Sequence, residues 1–284
     1  MNICLLSFDI EDWFQVENLR DVISRTAWDR YELRVVENTQ RLLEILERHD
    51  TKATFFVLGW IADRVPQLVK EIHRAGHEIA SHGYEHELIY KQSPKVFRED
   101  IHRSKSLLED LTGEAVLGYR APSFSITEHA IDILMEEGFR YDSSLFPSAY
   151  HDRYGKILSI SQNEAKSVVP LRAGFYEVMI STLSFWGWQV PWGGGGYFRV
   201  LPYNIFRWGV DKILRKQGCY LFYLHPWEID PKQPRIRGIK WNYRLRHYIG
   251  LNTAKAKLER LLSDFHFLPI RDGLAKLGCL SLNG

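Results

Sequence analysis

Cysteine is scarce in this chain. Three occur in 284 residues, Cys4, Cys219 and Cys279, far apart in sequence. An odd number with no close pair argues against a disulfide framework and points to a reducing compartment. Cys4 and Cys219 sit inside apolar runs, where a thiol serves as a small buried hydrophobe. Long hydrophobic runs are also missing. None approaches the ~18 apolar residues of a spanning helix, and Met1 leads straight into a strand-like run, without a basic start and apolar stretch. The expected location is the cytoplasm or the inner face of a membrane. Charge of one sign is not in excess: 37 basic residues stand against 35 acidic. That balance excludes nucleic-acid binding by bulk charge. No internal repeat and no low-complexity linker divides the chain.

What is present is a large apolar fraction, 45%, and a regular alternation of two patterns. Ile3–Phe8, Ala53–Leu58, His77–Ser81, Val116–Tyr119, Phe139–Tyr141, Tyr176–Ser181 and Tyr220–Leu224 read as short apolar strands. Between them lie helical spacings at 33–48, after Pro66, from Ser93-Pro94 to Leu111, and over 127–137, 202–216 and 253–264. Strand–helix alternation predicts an α/β fold with a mostly parallel sheet. One domain over 1–284 is expected, with 229–284 as a helical C-terminal extension of it.

Five of these strands end on residues able to do metal or acid–base chemistry. They lead into Asp9-Ile10-Glu11, His82, Arg120, Asp142 and His225. Strand–helix barrels build their sites at the C-terminal ends of strands, so one shared site is expected. His82 and His86 are four apart, in a strand-to-loop turn, and can converge on one ion. Asp9 and Glu11 point the same way along an extended chain, so one can ligate while the other acts as base. Two histidines and one carboxylate make a catalytic zinc set with room for water. Asp12 competes with Glu11 for the ligand role. Arg120 can pair with a buried carboxylate and hold it ionised. Tyr119, just before it, is a candidate substrate contact, and the Ser123 N–H, just after Pro122, is free to donate. His225 is placed as a general acid, with Asp142 as the group that orients it or tunes its pKa.

Asp9-Ile10-Glu11, Lys52-Ala53-Thr54-Phe55-Phe56, His82-x-x-x-His86, Arg120-Ala121-Pro122 and the strand ending in His225 together resemble the polysaccharide deacetylases, carbohydrate esterase family four. Tyr141-Asp142-Ser143-Ser144, Gly193–Gly196 with Tyr197-Phe198-Arg199, and His225-Pro226-Trp227-Glu228 resemble a narrower branch that accompanies bacterial exopolysaccharide gene clusters. The resemblance implies a distorted (β/α) barrel with about seven parallel strands. It implies removal of N-acetyl groups from a glycan with one divalent metal ion, zinc by preference. Carried over, Asp9 is the base, His82 and His86 are ligands, Arg120 orients Asp9, and His225 is the acid. The Ser123 N–H joins in holding the oxyanion. The chain departs from the commonest first motif, two adjacent Asp, and the Asp-x-Asp subset maps the carboxylate ligand to Glu11.

Two weaker signals remain. Gly193–Gly196 lacks the Lys-Ser/Thr of a phosphate loop and reads as a flexible loop that lets a polymer approach the backbone. Trp186, Trp188, Trp192 and Tyr197 flank it, as sugar platforms or as core. Residues 232–260 hold nine Lys or Arg and one acid, a solvated basic face or a contact for an anionic membrane surface or glycan. An amidohydrolase of a small cyclic amide or ureide, and an inactive glycan-binding module, are the competing functions.

Overall fold

The computed structural model describes residues 2–146, 155, 157, 167–185 and 188–281. Its strands are β1 (Ile3–Ile10), β2 (Thr54–Val57), β3 (Glu78–Ser81), β4 (Gly118–Tyr119), β5 (Tyr141–Asp142), β6 (Val168–Arg172), β7 (Phe175–Val178), β8 (Thr182–Phe185), β9 (Trp188–Pro191), β10 (Cys219–Leu224) and β11 (Phe267–Leu268). Its helices are α1 (Val35–Arg48), α2 (Gly59–Arg64), α3 (Pro66–Arg74), α4 (Pro94–Thr112), α5 (Glu128–Glu136), α6 (Gly195–Val200), α7 (Tyr203–Gln217), α8 (Trp241–Tyr248), α9 (Leu251–Asp264) and α10 (Ile270–Lys276).

The main sheet runs β10-β1-β2-β3-β4-β5-β7-β6. The first seven strands are mutually parallel, and β6 closes the edge antiparallel to β7. All eight residues of β1 are buried, six of them apolar, as suits a parallel strand covered on both faces. β10 fills one edge of β1. The other edge is shared by β11, beside Cys4 and Leu5, and β2, beside Ser7 to Ile10. The sheet curls as a distorted barrel does, into a half-barrel, and among the described residues no strand closes it. The gap between β7 and β10 is bridged by irregular backbone. Leu221 N donates to Ser181 Oγ (2.8 Å), Gly193 N to Ser181 O (2.8 Å), and Tyr223 N to Gly193 O (2.7 Å).

Register places the site. Ile10, Val57, Ser81, Tyr119 and Asp142 lie on one line of paired residues across five strands. One step further along the same direction stand Glu11, His82 and Arg120. Phe8 pairs with Leu224, so the next step faces Asp9 toward His225. Side chains alternate faces along a strand, and this corrects the reading of Tyr119. While Arg120 points inward, the Tyr119 ring packs outward against Phe97 (6.0 Å) and Phe139 (5.7 Å), under α4 and away from any substrate.

Candidate active site

Asp9 and Arg120 form the deepest pair. Arg120 is wholly buried, and its Nη1 donates to Asp9 Oδ1 at 2.6 Å and to Ser7 Oγ at 2.9 Å. Nε and Nη2 bind the Ser143 carbonyl and hydroxyl, both at 2.9 Å, and the guanidinium lies 4.1 Å over the Phe56 ring. So fixed, it holds one Asp9 oxygen and leaves Oδ2 directed at the site, 3.8 Å from His225 Nε2.

Glu11, His82 and His86 come together as one candidate metal centre. All three are buried, with ligand atoms all within 4.8 Å of one another. His82 Nδ1 donates to the Arg120 carbonyl (2.8 Å), which leaves Nε2 as the free ligand atom, the usual outer-shell arrangement of a metal histidine. His86 Nε2 meets Glu11 Oε2 at 2.6 Å. Burial pulls the His82 pKa down to about 4, so the ring is neutral and ready to ligate. Burial would raise Glu11, but the His86, His225 and His82 rings outweigh it and bring the carboxyl to about 2. A hard carboxylate oxygen with two imidazole nitrogens fits a divalent ion, and the three leave further positions open. The turn that delivers both histidines is held from outside: Asp100 on α4 accepts the N–H of Tyr84 (2.8 Å) and of Glu85 (2.9 Å). His86 itself sits at φ 53, a left-handed conformation that costs a non-glycine residue about 1–3 kcal/mol and clusters at functional sites. Nothing in the local sequence singled out Asp100.

Asp12 is not a ligand. The chain folds back after β1 through a tight turn, Glu11 N to Asp9 O at 3.0 Å, and Asp12 faces away from the site. Its Oδ2 accepts the N–H of Arg34 (2.7 Å) and Val35 (2.9 Å) at the start of α1, and Oδ1 that of Trp13 (2.8 Å). The structure groups Glu11, the residue that strand alternation favoured, with the two histidines, although the backbone turns at Ile10 rather than staying extended.

His225 lies at the open side, its side chain 18% exposed. Nε2 is 3.3 Å from Glu11 Oε1, and Nδ1 is 2.8 Å from Glu228 Oε1. Burial pulls its pKa down, but the Glu11, Glu228 and Asp9 carboxylates overcome this and raise it to about 9. The ring is therefore protonated through neutral pH.

Asp142, expected to orient His225, does not. Among the described residues, Asp9, Glu11 and Glu228 are the carboxylates within 4 Å of the His225 ring. Asp142 is bound instead to the Ser144 hydroxyl (2.6 Å), and burial pushes its pKa up to about 6. The orienting group is Glu228. Pro226 opens a short 3-10 turn, and the acid three residues after His225 reaches back to both its N–H (3.1 Å) and its ring. A cap residue followed three later by Glu is a readable signal, and it stood in the quoted His-Pro-Trp-Glu motif. Glu228 Oε2 in turn takes the Arg199 Nε at 2.7 Å, both buried. Arg199 stood in the quoted glycine segment, but its partner could not be read there, because it lies across a tertiary contact.

The glycine segment also differs from expectation. The backbone it brings close is the protein's own. A Cβ on Gly193 would meet the Leu221 carbonyl at 2.5 Å, and one on Gly195 would collide with the Glu228 carboxylate. Trp192 is core, stacked on Phe206 at 5.7 Å, while Trp188 and Tyr197 are exposed. Trp186 lies outside the described residues. Ser123 follows Pro122 at φ 51, with Phe124 at φ 58 beside it, two consecutive left-handed residues in the turn that starts from Arg120.

The polysaccharide deacetylase family model matches residues 20–141, and a model for a domain of unknown function (DUF3473) matches 143–275. The chain is 32% identical over 117 residues to the peptidoglycan deacetylase of Helicobacter pylori, covering 41% of this chain and 40% of that one. It is 35% identical over 104 residues to the peptidoglycan-N-acetylglucosamine deacetylase of Bacillus cereus, covering 37% and 38%. The matched stretch thus spans about two fifths of these relatives' length. A solved Mycobacterium smegmatis structure assigned to the polysaccharide deacetylases superposes with TM-score 0.63 at 21% identity, over 97% of this chain and 90% of that one, which is a likeness of fold.

Proposed function

From the match of residues 20–141 to the polysaccharide deacetylase family, we propose that this chain hydrolyses the N-acetyl group of N-acetylhexosamine units in a bacterial polysaccharide or its precursor, an exopolysaccharide by the branch it resembles. The observation that carries the reading is the meeting of Asp9–Arg120, of Glu11, His82 and His86, and of His225 at one edge of the sheet. The amide C–N bond breaks, a C–O bond forms, and acetate and a free amine leave.

A divalent ion, zinc by the donor set, held by Glu11, His82 and His86, would polarise the acetamide carbonyl and lower the pKa of the attacking water toward ~7. The rest falls to side chains. Asp9 takes the water's proton on Oδ2, while Arg120 holds the carboxylate aimed through its bond to Oδ1. His225, held protonated by its three carboxylate neighbours, donates from Nε2 to the departing nitrogen. Glu228 on Nδ1 fixes the ring's orientation. The Ser123 N–H is the backbone donor for the oxyanion.

Acetate release from a panel of chitooligosaccharides, peptidoglycan fragments and N-acetylated exopolysaccharides, by protein loaded with zinc, tests this. Release from at least one glycan, lost in Asp9→Asn, is expected. No acetate from any glycan, together with turnover of cyclic amides or ureides, would replace the reading with the amidohydrolase one.

A further inference from the structure

Charge in this chain is segregated. Residues 232–260 hold nine basic residues and one acid, which leaves 28 basic against 34 acidic in the remainder. Overall near-neutrality therefore hides a strongly cationic segment on an otherwise acidic molecule. Its centre is α8 and the approach to it. Between 231 and 247 there is no acid at all, and Arg237, Lys240, Arg244 and Arg246 are all exposed. One described carboxylate reaches this group from elsewhere, Asp21, 3.1 Å from Lys240.

Large apolar side chains stand among these cations. Trp241 is 78% exposed and Leu245 55%. They are four apart on α8, so they share one face, and helical geometry sets Arg244 and Arg246 on either side of them. Val22, also exposed, borders the patch, 3.7 Å from the Cβ position of Gly238. The opposite side of α8 is anchored inward. His247 stacks on Trp227 at 4.5 Å, and Trp227 stacks on His225 at 5.3 Å. Arg199 binds the carbonyls of Arg246 (2.9 Å), His247 (3.1 Å) and Ile249 (2.5 Å).

We propose that this face of α8 docks on an anionic lipid surface, with Trp241 and Leu245 entering the headgroup boundary and the flanking cations meeting lipid phosphates. An apolar stripe edged by Lys and Arg is the pattern of an interfacial helix. An anionic glycan or nucleic acid would satisfy the cations and could stack on Trp241, but it gives nothing to Leu245 or Val22. Lipid accommodates all of them. Because α8 is tied through Trp227 to His225, docking would hold the open side of the site near the membrane, the position for acting on a glycan carried by a lipid. The docking itself stands independently of the deacetylase reading.

Sedimentation of the full chain with vesicles tests it. Binding is expected to mixed phosphatidylcholine–phosphatidylglycerol vesicles and not to pure phosphatidylcholine, and it should weaken with salt. At about 1 kcal/mol per surface cation, Arg244→Gln with Arg246→Gln weakens binding about thirtyfold. Trp241→Ser with Leu245→Ser, at unchanged charge, weakens it about tenfold or more. All four positions are exposed, so an unchanged circular dichroism melt is expected of each variant. Absence of binding to the mixed vesicles overturns the proposal. So does a Trp241→Ser, Leu245→Ser protein that binds as well as the parent, the result expected of a plain polyanion site.

Discussion

Glu228→Gln is the sharpest probe of the acid's machinery. Glu228 holds His225 by a 2.8 Å bond to Nδ1, and it is among the carboxylates that raise the ring's pKa from its ordinary 6.5 to about 9. A general acid works while protonated. Activity is therefore present below the folded-state value and is lost as pH rises through it, which forms the alkaline limb of the profile. Glutamine keeps the shape but removes the charge. A hydrogen bond to a charged group is worth about 1.5–3 kcal/mol, and about 1.4 kcal/mol moves a pKa by one unit. The alkaline limb of kcat/KM for acetate release should thus move down by roughly one to two pH units. An ion on Glu11 would offset that carboxylate's pull and start the limb below 9, but the displacement on substitution remains. The variant should also be less stable, since Arg199 loses its buried partner. Breaking such a pair costs about 3–5 kcal/mol, with the low end expected because three carbonyls still hold the guanidinium. The stability loss alone would follow from any structural role. An alkaline limb that stays in place in a folded, metal-loaded Glu228→Gln protein would refute the reasoning.

Other substitutions separate the remaining roles. Asp9→Asn should keep its metal, measured by elemental analysis, and lose about 10²–10⁴-fold in kcat; activity within a few-fold of the parent would remove Asp9 as base. Glu11→Ala should lose the ion, whereas Asp12→Ala should keep it and instead lower stability by about 1–3 kcal/mol in urea unfolding, by freeing backbone N–H groups at the start of α1. Gly195→Ala should displace the Glu228 carboxylate and reproduce part of the Glu228→Gln pH shift, with metal content unchanged.

Much of this site was legible because strand ends are local features. The ends of β1, β3, β4 and β10 each announced themselves by an apolar run stopping on a polar residue, and parallel register then forces Glu11, His82 and Arg120 onto one edge. Glu11 was separated from Asp12 by side-chain alternation alone. The same rule, applied one residue further, would have turned Tyr119 outward. Asp142 was misread because a strand end gives the edge and not the neighbour. The β5 end points to Ser144, while His225 finds its carboxylate within its own turn. The partners of Arg199, although it stood in a quoted motif, and of Asp100 were invisible for another reason: each acts on a segment remote in sequence, and no local pattern encodes that distance. The β8–β9 hairpin and the irregular seam were likewise missed, since neither follows the strand–helix rhythm.

The place of β1 in the sheet bears on how the molecule is assembled during synthesis. Ile3 pairs with Cys219 and Cys4 with Phe267, so β1 waits for partners made much later, while β2 and β3 follow soon after it. A nascent chain that has emerged through His86 already holds Glu11, His82 and His86 and can bring them together by pairing β1, β2 and β3. The ion-binding half of the centre can thus form before His225 exists. Through that interval one edge of a mostly apolar eight-residue strand has nothing to pair with, and such an edge recruits other chains. Pairing so distant in sequence is also slow. A chain stopped short of β10 should therefore collect metal and aggregate, and β10 completes the acid and covers that edge in the same step.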